Sequence, residues 1–215
     1  MNYRKLVEKG YDQIAEKYLK KFRLSSDANK HTIKHLSPLV KLLPRNARIL
    51  DLGCGAGIPA TKILAQHYQV VGVDISERQI RLARKNVPRA KFIKADMLEI
   101  DFPNNSFDAI VSLYAIIHVP RKYHRKLLEK IWKMLKPGGY LLVTMGVSDL
   151  EKAREDNWLG APMYWSHFDK KRNIDLLRQA GFRLLRAETE LEKEGKEEVS
   201  HLYCLARKEV LVPGV

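Results

Sequence analysis

The stretch Ile49-Leu50-Asp51-Leu52-Gly53-Cys54-Gly55-Ala56-Gly57 decides the fold. A short apolar run closes on three alternate glycines, and residues 58–67 then read as a helix. A buried strand must therefore turn into a helix through a loop that admits positive φ and lets a ligand approach the backbone with no Cβ in the way. The spacing is not that of a dinucleotide fingerprint, whose third glycine would fall at position 58, where this chain has Ile58. Pro59 follows at the helix start, where a missing N–H is tolerated.

Toward the C-terminus the same alternation continues. Gln69-Val70-Val71-Gly72-Val73-Asp74 is a β-branched run ending in an acid, and Ser76 with Gln79 has the pattern of a capping box opening a helix whose apolar face is Ile80, Ala83 and Val87. Residues 91–94 and 107–113 read as strands, Leu127, Leu128, Ile131 and Leu135 as one face of a helix, and residues 140–145 as a further strand after Pro137-Gly138-Gly139. A helix over about 169–180 stops at Gly181, and strands over 182–190 and 199–207 flank a charged turn at 192–197. Strands alternating with helices predict a mainly parallel sheet covered on both faces, and two strands joined directly predict an antiparallel hairpin at its edge.

Toward the N-terminus the period is helical throughout. Val7, Tyr11, Ile14 and Tyr18 share one face, and Ile33, Leu36, Val40 and Leu43 share another. These helices either cap a site or cover a sheet edge. The expected organisation is a helical lead over residues 1–45 and an α/β unit over residues 46–215. Its sheet is doubly wound, mainly parallel and seven-stranded, with the antiparallel hairpin at one edge.

The 215 residues carry 39 Lys+Arg against 25 Asp+Glu, a formal charge of +14, with 45% hydrophobic residues and 30% charged. That composition supports a core and excludes disordered, collagen-like and coiled-coil classes. The basic residues recur on the polar sides of nearly every helix, which fits a solvated surface better than one nucleic-acid stripe. Cys54 and Cys204 stand apart with no CxxC or Cys/His cluster around them, so neither a disulfide framework nor a metal site is expected. The start has no apolar core of signal-peptide length, and the most apolar run, 109–119, is broken by Ser112 and His118, far short of the roughly 20 residues that span a membrane. A cytoplasmic protein without a membrane partner is expected; the oligomeric state is not legible.

A carboxylate closing the second strand can accept two hydrogen bonds from ribose hydroxyls, so loop and acid together point to a nucleoside. Residues 45–145, about half of the chain, resemble the core of the class I, Rossmann-like S-adenosylmethionine-dependent methyltransferases, with the small-molecule enzymes as the nearer pattern. The resemblance rests on Asp51-x-Gly53-x-Gly55-x-Gly57, Asp74, Ala95-Asp96-Met97, the strand at 107–112, and Leu135-Lys136-Pro137-Gly138-Gly139. It implies S-adenosylmethionine as cofactor. The loop Asp51, Gly53, Cys54, Gly55 and Gly57 would wrap the methionine part, Asp74 with Ile75 the ribose, and Ala95, Asp96 and Met97 the adenine. Ser112 and Tyr114 follow the fourth strand beside the sulfonium, and Tyr11 and Tyr18 resemble the N-terminal helix that closes over the cofactor, although Leu19 stands where the family often has Asp. Carboxylates and aromatic faces suit a sulfonium cation, whereas a pyrophosphate would call for more bare donors at the helix start.

On the acceptor side, His118 is either a general base or a satisfied core histidine. Trp158, Met163, Tyr164, Trp165 and His167 form either an apolar substrate wall, with Tyr114, Trp165 and His167 as acceptor contacts, or a satellite core. Asp51 either holds cofactor or ties its own loop. The expected reaction is in-line methyl transfer to a small-molecule acceptor. RNA or protein is the alternative acceptor, disfavoured because Ser112-Leu113-Tyr114-Ala115 is not the Asn/Asp-Pro-Pro-aromatic pattern used on exocyclic amines. A cofactor-binding module without catalysis is the third reading.

Overall fold

The computed structural model describes residues 2–194 and 197–209. Two helices lead, α1 (Tyr3–Phe22) and α2 (Ser26–Val40). There follow β1 (Arg48–Leu52), α3 (Ala60–Leu64), β2 (Gln69–Asp74), α4 (Glu77–Asn86), β3 (Lys91–Lys94), β4 (Phe107–Ser112), α5 (His124–Met134) and β5 (Leu135–Gly146). The chain continues through β6 (Leu150–Trp158), β7 (Ala161–His167), α6 (Lys170–Gln179), β8 (Phe182–Glu194) and β9 (Glu197–Lys208). Among the described residues the main sheet has seven strands in the order β3-β2-β1-β4-β5-β9-β8. β3 to β5 run parallel, whereas β9 and β8 are antiparallel to their neighbours, so the α/β expectation with an edge hairpin holds.

Period-two side-chain alternation divides the core. Ile49, Val70, Ala109 and Val111 face one side, packed with Leu36 and Leu39 of α2, Leu64 of α3 and Ile80 and Ala83 of α4. Leu50, Leu52, Val73 and Ile110 face the other, against Leu127, Leu128 and Ile131 of α5 and Leu176 and Leu177 of α6. Each buried Leu, Ile or Val side chain among them contributes about 1.5–3 kcal/mol. Strands buried on both faces bring the ends of β1, β2 and β4 together at one edge, where ligands bind in doubly wound sheets.

Several elements differ from the sequence reading, among them β5, which begins at Leu135 and takes in Pro137-Gly138-Gly139. The helix expected over 58–67 is the short α3, and the hairpin strands are longer than read, β8 running on to Glu194 and β9 beginning at Glu197. The expected turn is therefore mostly strand, with residues 195 and 196 outside the described set. β6 and β7 form a separate two-stranded sheet that no alternation announced, because the outward face of β6 is charged and exposed. On α2 the inward face is Thr32, His35, Leu36 and Leu39, and Ile33 is 48% exposed. No helix among the described residues is long and apolar enough to cross a membrane.

Candidate functional site

The glycine loop folds back on the end of β2. The amides of Gly53 and Cys54 both donate to the Val73 carbonyl, at 2.7 and 3.0 Å, and Gly57 N–H donates to Cys54 O. Gly53, Gly55 and Gly57 all have positive φ, which the turn requires. At Gly53 a Cβ would stand 2.1 Å from that of Ala115, so the loop after β4 packs directly on the glycine. Gly57 serves packing, since a Cβ there would meet Val87 and Ala83 of the α4 region.

Asp74 is held by the loop it faces. Gly55 N–H donates to its Oδ2 at 2.8 Å and Ser76 N–H to its Oδ1 at 2.9 Å, leaving further lone pairs on both oxygens for ligand hydroxyls. Burial pushes its carboxyl up to about 6, against those two amides. Asp51 is also pushed up to about 6 by burial, and its Oδ2 accepts from Thr61 Oγ1 at 2.6 Å, tying loop to α3 while the side chain still lines the cavity.

Ser76 caps α4 as its spacing predicts, accepting from Gln79 N–H at 3.1 Å. The reciprocal half of the box is missing because Ser76 N–H is spent on Asp74. Gln79 is thereby left 1% exposed with neither amide oxygen nor nitrogen bonded, in the wall of the cavity. A buried amide without partners costs about 1–3 kcal/mol, so this group is available to a ligand.

The cavity measures about 1080 Å³ including its mouth. Its walls include Asp51, Gly53, Cys54, Gly55, Asp74, Ile75, Ala95, Asp96 and Met97, with Tyr11, Tyr18, Tyr114 and His118 on the side of α1. Tyr3, Arg4, Arg23, Leu113 and Ala115 line it too, without having been singled out in the sequence. Asp96 accepts from Leu98 N–H at 2.8 Å and pairs with Arg4 Nε at 2.9 Å.

α1 roofs this space through a stripe four residues apart. Arg4 pairs with Asp96, Glu8 with Lys94 at 2.6 Å, and Glu16 with Arg78 at 2.5 Å. Asp12 accepts at Oδ1 from Ser76 Oγ at 2.6 Å and from Arg78 N–H at 3.0 Å, so a residue of α1 caps α4. The opposite face puts Val7 and Ile14 against Ala161, Met163 and Tyr164 of β7. At Gly10 a Cβ would fall 2.6 Å from Pro162 O.

His118 is bonded at both ring nitrogens, to Tyr164 O from Nδ1 and to Tyr11 Oη from Nε2, each at 2.8 Å. A carbonyl only accepts, so Nδ1 carries the proton and Nε2 accepts from Tyr11. Burial drives the imidazole down to about 4, so it is neutral near pH 7.

Besides Gly57, which packs on α4 and does not line the cavity, three expected contacts lie elsewhere. Ser112 is fully buried and its hydroxyl donates to Leu52 O at 2.8 Å, bridging β4 to β1 instead of lining the cavity. Trp165 lies behind His118, 5.8 Å away between ring centroids, in edge contact with Trp158. His167 pairs through Nδ1 with Ser148 O at 2.7 Å, beyond the cavity wall. The aromatic segment is thus mostly the satellite core beneath α1, built by β7 pairing with β6.

Residues 49–139 match the family model described as a methyltransferase domain. The chain is 32% identical over 149 residues to 27-O-demethylrifamycin SV methyltransferase of Amycolatopsis mediterranei, covering 61% of this chain and 54% of that one. It spans about half the length, or less, of the curated relatives it matches. A solved S-adenosylmethionine-dependent methyltransferase of Methanosarcina mazei superposes with a TM-score of 0.70 at 23% identity, over 80% of this chain and 98% of that chain. The Haemonchus contortus phosphoethanolamine N-methyltransferase 2, solved with phosphomonomethylethanolamine and S-adenosylhomocysteine, superposes with a TM-score of 0.73 at 18% identity, over 98% and 61%.

Proposed function

We propose that the chain is a class I, Rossmann-like S-adenosylmethionine-dependent methyltransferase that transfers a methyl group to a small-molecule acceptor held beneath α1, a reading supported by the methyltransferase-domain match and the fold. One observation carries this reading: Asp74, locked by the Gly55 and Ser76 amides, faces a cavity roofed by Tyr11 and Tyr18 and containing an unbonded Gln79 amide. The residues present fit the cofactor. Asp74 would take the ribose hydroxyls, the loop at Gly53 and Gly55 the methionine part, and Ile75, Ala95, Asp96 and Met97 the adenine. Tyrosine faces suit a permanent cation. When bound, the cofactor supplies a methyl carbon already activated by its sulfonium leaving group.

The chain then has three tasks. The roof of α1 excludes water and holds the acceptor in line, an alignment worth several kcal/mol of barrier. His118, neutral near pH 7, takes a proton at Nε2 from Tyr11 as the Tyr11 hydroxyl takes the acceptor's proton, where the acceptor carries one. Tyr114, at the cavity wall, contacts the acceptor. A largely apolar cavity roofed by α1 favours a small molecule over RNA or a protein segment. The relatives act, by their names, on acceptors as different as a rifamycin and phosphoethanolamine, and this chain's acceptor is of that size class. A helical lead over 1–45 that serves as the cap of the unit over 46–215, and a cytoplasmic home for the free thiols Cys54 and Cys204, complete the reading.

Calorimetry with S-adenosylhomocysteine, followed by labelled methyl transfer into metabolite, RNA and protein fractions, tests it. Micromolar or tighter binding with label in the metabolite fraction is expected. Absence of binding ends the reading, and label confined to RNA or protein moves the acceptor.

A further inference from the structure

Outside the cofactor cavity, α2 meets the β8–β9 hairpin through a second cluster of ligand-type side chains. His31 and His35 lie one turn apart and project from one face of α2. Opposite them, Oε2 of Glu190 on β8 stands 3.1 Å from Nε2 of His31 and 3.2 Å from Nε2 of His35. The three atoms all lie within 4.8 Å of one another. His35 is 5% exposed, and its Nε2, shut off from solvent, makes no hydrogen bond despite that proximity to Glu190. A ring nitrogen buried without a hydrogen bond is costly, and a cation shared with its two neighbours removes the cost.

We propose that His31, His35 and Glu190 form a binding site for a divalent transition-metal ion of the zinc class. Two imidazoles and one carboxylate suit zinc, cobalt, nickel or ferrous iron better than magnesium or calcium. With metal–ligand bonds of about 2.0–2.2 Å, ligand atoms on a tetrahedral ion sit about 3.3–3.6 Å apart, so the 3.1 and 3.2 Å separations to Glu190 need a shift of only tenths of an ångström, while the two imidazoles, whose ligand atoms lie within 4.8 Å, close on the ion by up to about 1.4 Å through side-chain rotation.

The surroundings hold the ligands as metal sites do. Lys34 Nζ engages Oε1 of Glu190, leaving Oε2 to bind through one oxygen. The His35 ring is stacked on Tyr203, centroids 3.6 Å apart and 9° from parallel. Tyr114 Oη lies 3.4 Å from Nδ1 of His31 and donates to Glu192 Oε2 at 2.7 Å. Glu192 Oε1 is 3.9 Å from Nε2 of His31, the next carboxylate within reach, and it or water completes the coordination. Because Tyr114 also lines the cofactor cavity, the ion braces α2 and the hairpin against the cavity wall. No sequence pattern announces this site: the helical period of α2 predicts Ile33 inward, and the third ligand arrives only when β8 folds over His31, 159 residues away along the chain.

The test uses the full chain without a histidine tag. Zinc titrated against a chromophoric chelator, and cobalt followed by its visible absorption, are expected to bind at one equivalent, the cobalt bands showing nitrogen and oxygen ligands without thiolate charge transfer. His35→Gln and Glu190→Gln are each expected to weaken zinc by at least about 100-fold, more than loss of an outer partner costs, with His67→Gln unchanged. The partly exposed His31→Gln serves as the second variant should His35→Gln not fold. No saturable one-equivalent binding to the unsubstituted chain, or undiminished binding in His31→Gln and Glu190→Gln, overturns the proposal.

Discussion

The Tyr11 hydroxyl donates to Nε2 of His118 across 2.8 Å of space and 107 residues of sequence. Nδ1 of the same ring is committed to Tyr164 O, so Tyr11 occupies the one nitrogen able to receive a proton.

His118→Ala is therefore expected to lower turnover of a proton-bearing acceptor by about 10²–10⁴-fold, the usual contribution of a general base. Affinity for S-adenosylhomocysteine should change little. With burial holding the ring at about 4, the neutral base is present at every pH above that value. The acid limb of kcat should thus fall near pH 4 and not near 6.5. Rapid-quench turnover from pH 4 to 9 checks both points, and a limb at 6.5 would remove His118 from the role.

Cofactor affinity should depend on pH through Asp74. Burial raises its carboxyl to about 6, so below that pH it is largely protonated. Ribose hydroxyls donate to the carboxylate and lower this value in the complex. Binding then releases a proton at pH 5 and none at pH 8, and affinity for S-adenosylhomocysteine rises up to tenfold per pH unit toward 6 before levelling. Asp51, also raised to about 6 by burial, adds to the release if the ligand bonds it. Calorimetry in buffers of different ionisation enthalpy counts the protons. A flat profile between pH 5 and 7 would sink the ribose assignment.

Two loop glycines should fail differently. Gly53→Ala combines φ of +80° with a methyl 2.1 Å from the Ala115 Cβ, so it should destabilise the fold by about 2 kcal/mol or more. Gly55→Ala has φ of +53° but finds only Gln79 Oε1, at 3.8 Å. Its cost should stay near 1 kcal/mol, with the methyl projecting beside Gln79 to weaken cofactor binding. Urea midpoints and S-adenosylhomocysteine titrations of both variants separate the two effects; equal losses of stability would contradict the geometry.

What was legible in the sequence was local. The glycine loop, Asp74 and the Ser76 cap each depend on neighbours within one strand–turn–helix unit, where spacing alone fixes who meets whom. The β6–β7 hairpin was silent because Leu150–Trp158 carries charges on its open face and borrows burial from α1, far away in sequence. Gln79 shows how tertiary context redirects a correct motif: its capping-box partner amide is claimed by Asp74, so a side chain expected to close a helix faces the cavity instead. Trp165 and His167 illustrate the converse, aromatics in the segment after β5 that the sequence offers as acceptor contacts but that strand pairing turns away.

The α1 roof depends on Asp12 as much as on its apolar face. Its carboxylate takes two hydrogen bonds at the start of α4, where the helix dipole favours negative charge, and no local pattern in α4 supplies that acceptor. Asp12→Ala should therefore loosen α1 by about 1–3 kcal/mol while leaving the sheet intact. Trypsin cleavage at Lys9 or Lys17 should accelerate, and S-adenosylhomocysteine affinity should drop by about five- to a hundredfold, since each 1.4 kcal/mol is a factor of ten. Asp12→Asn retains an acceptor oxygen and should lose less. Saturating S-adenosylhomocysteine should slow cleavage of the unsubstituted chain, because ligand and roof stabilise each other. Unchanged cleavage and affinity in Asp12→Ala would mean that Val7 and Ile14 alone seat α1, and the charged stripe would then be surface decoration.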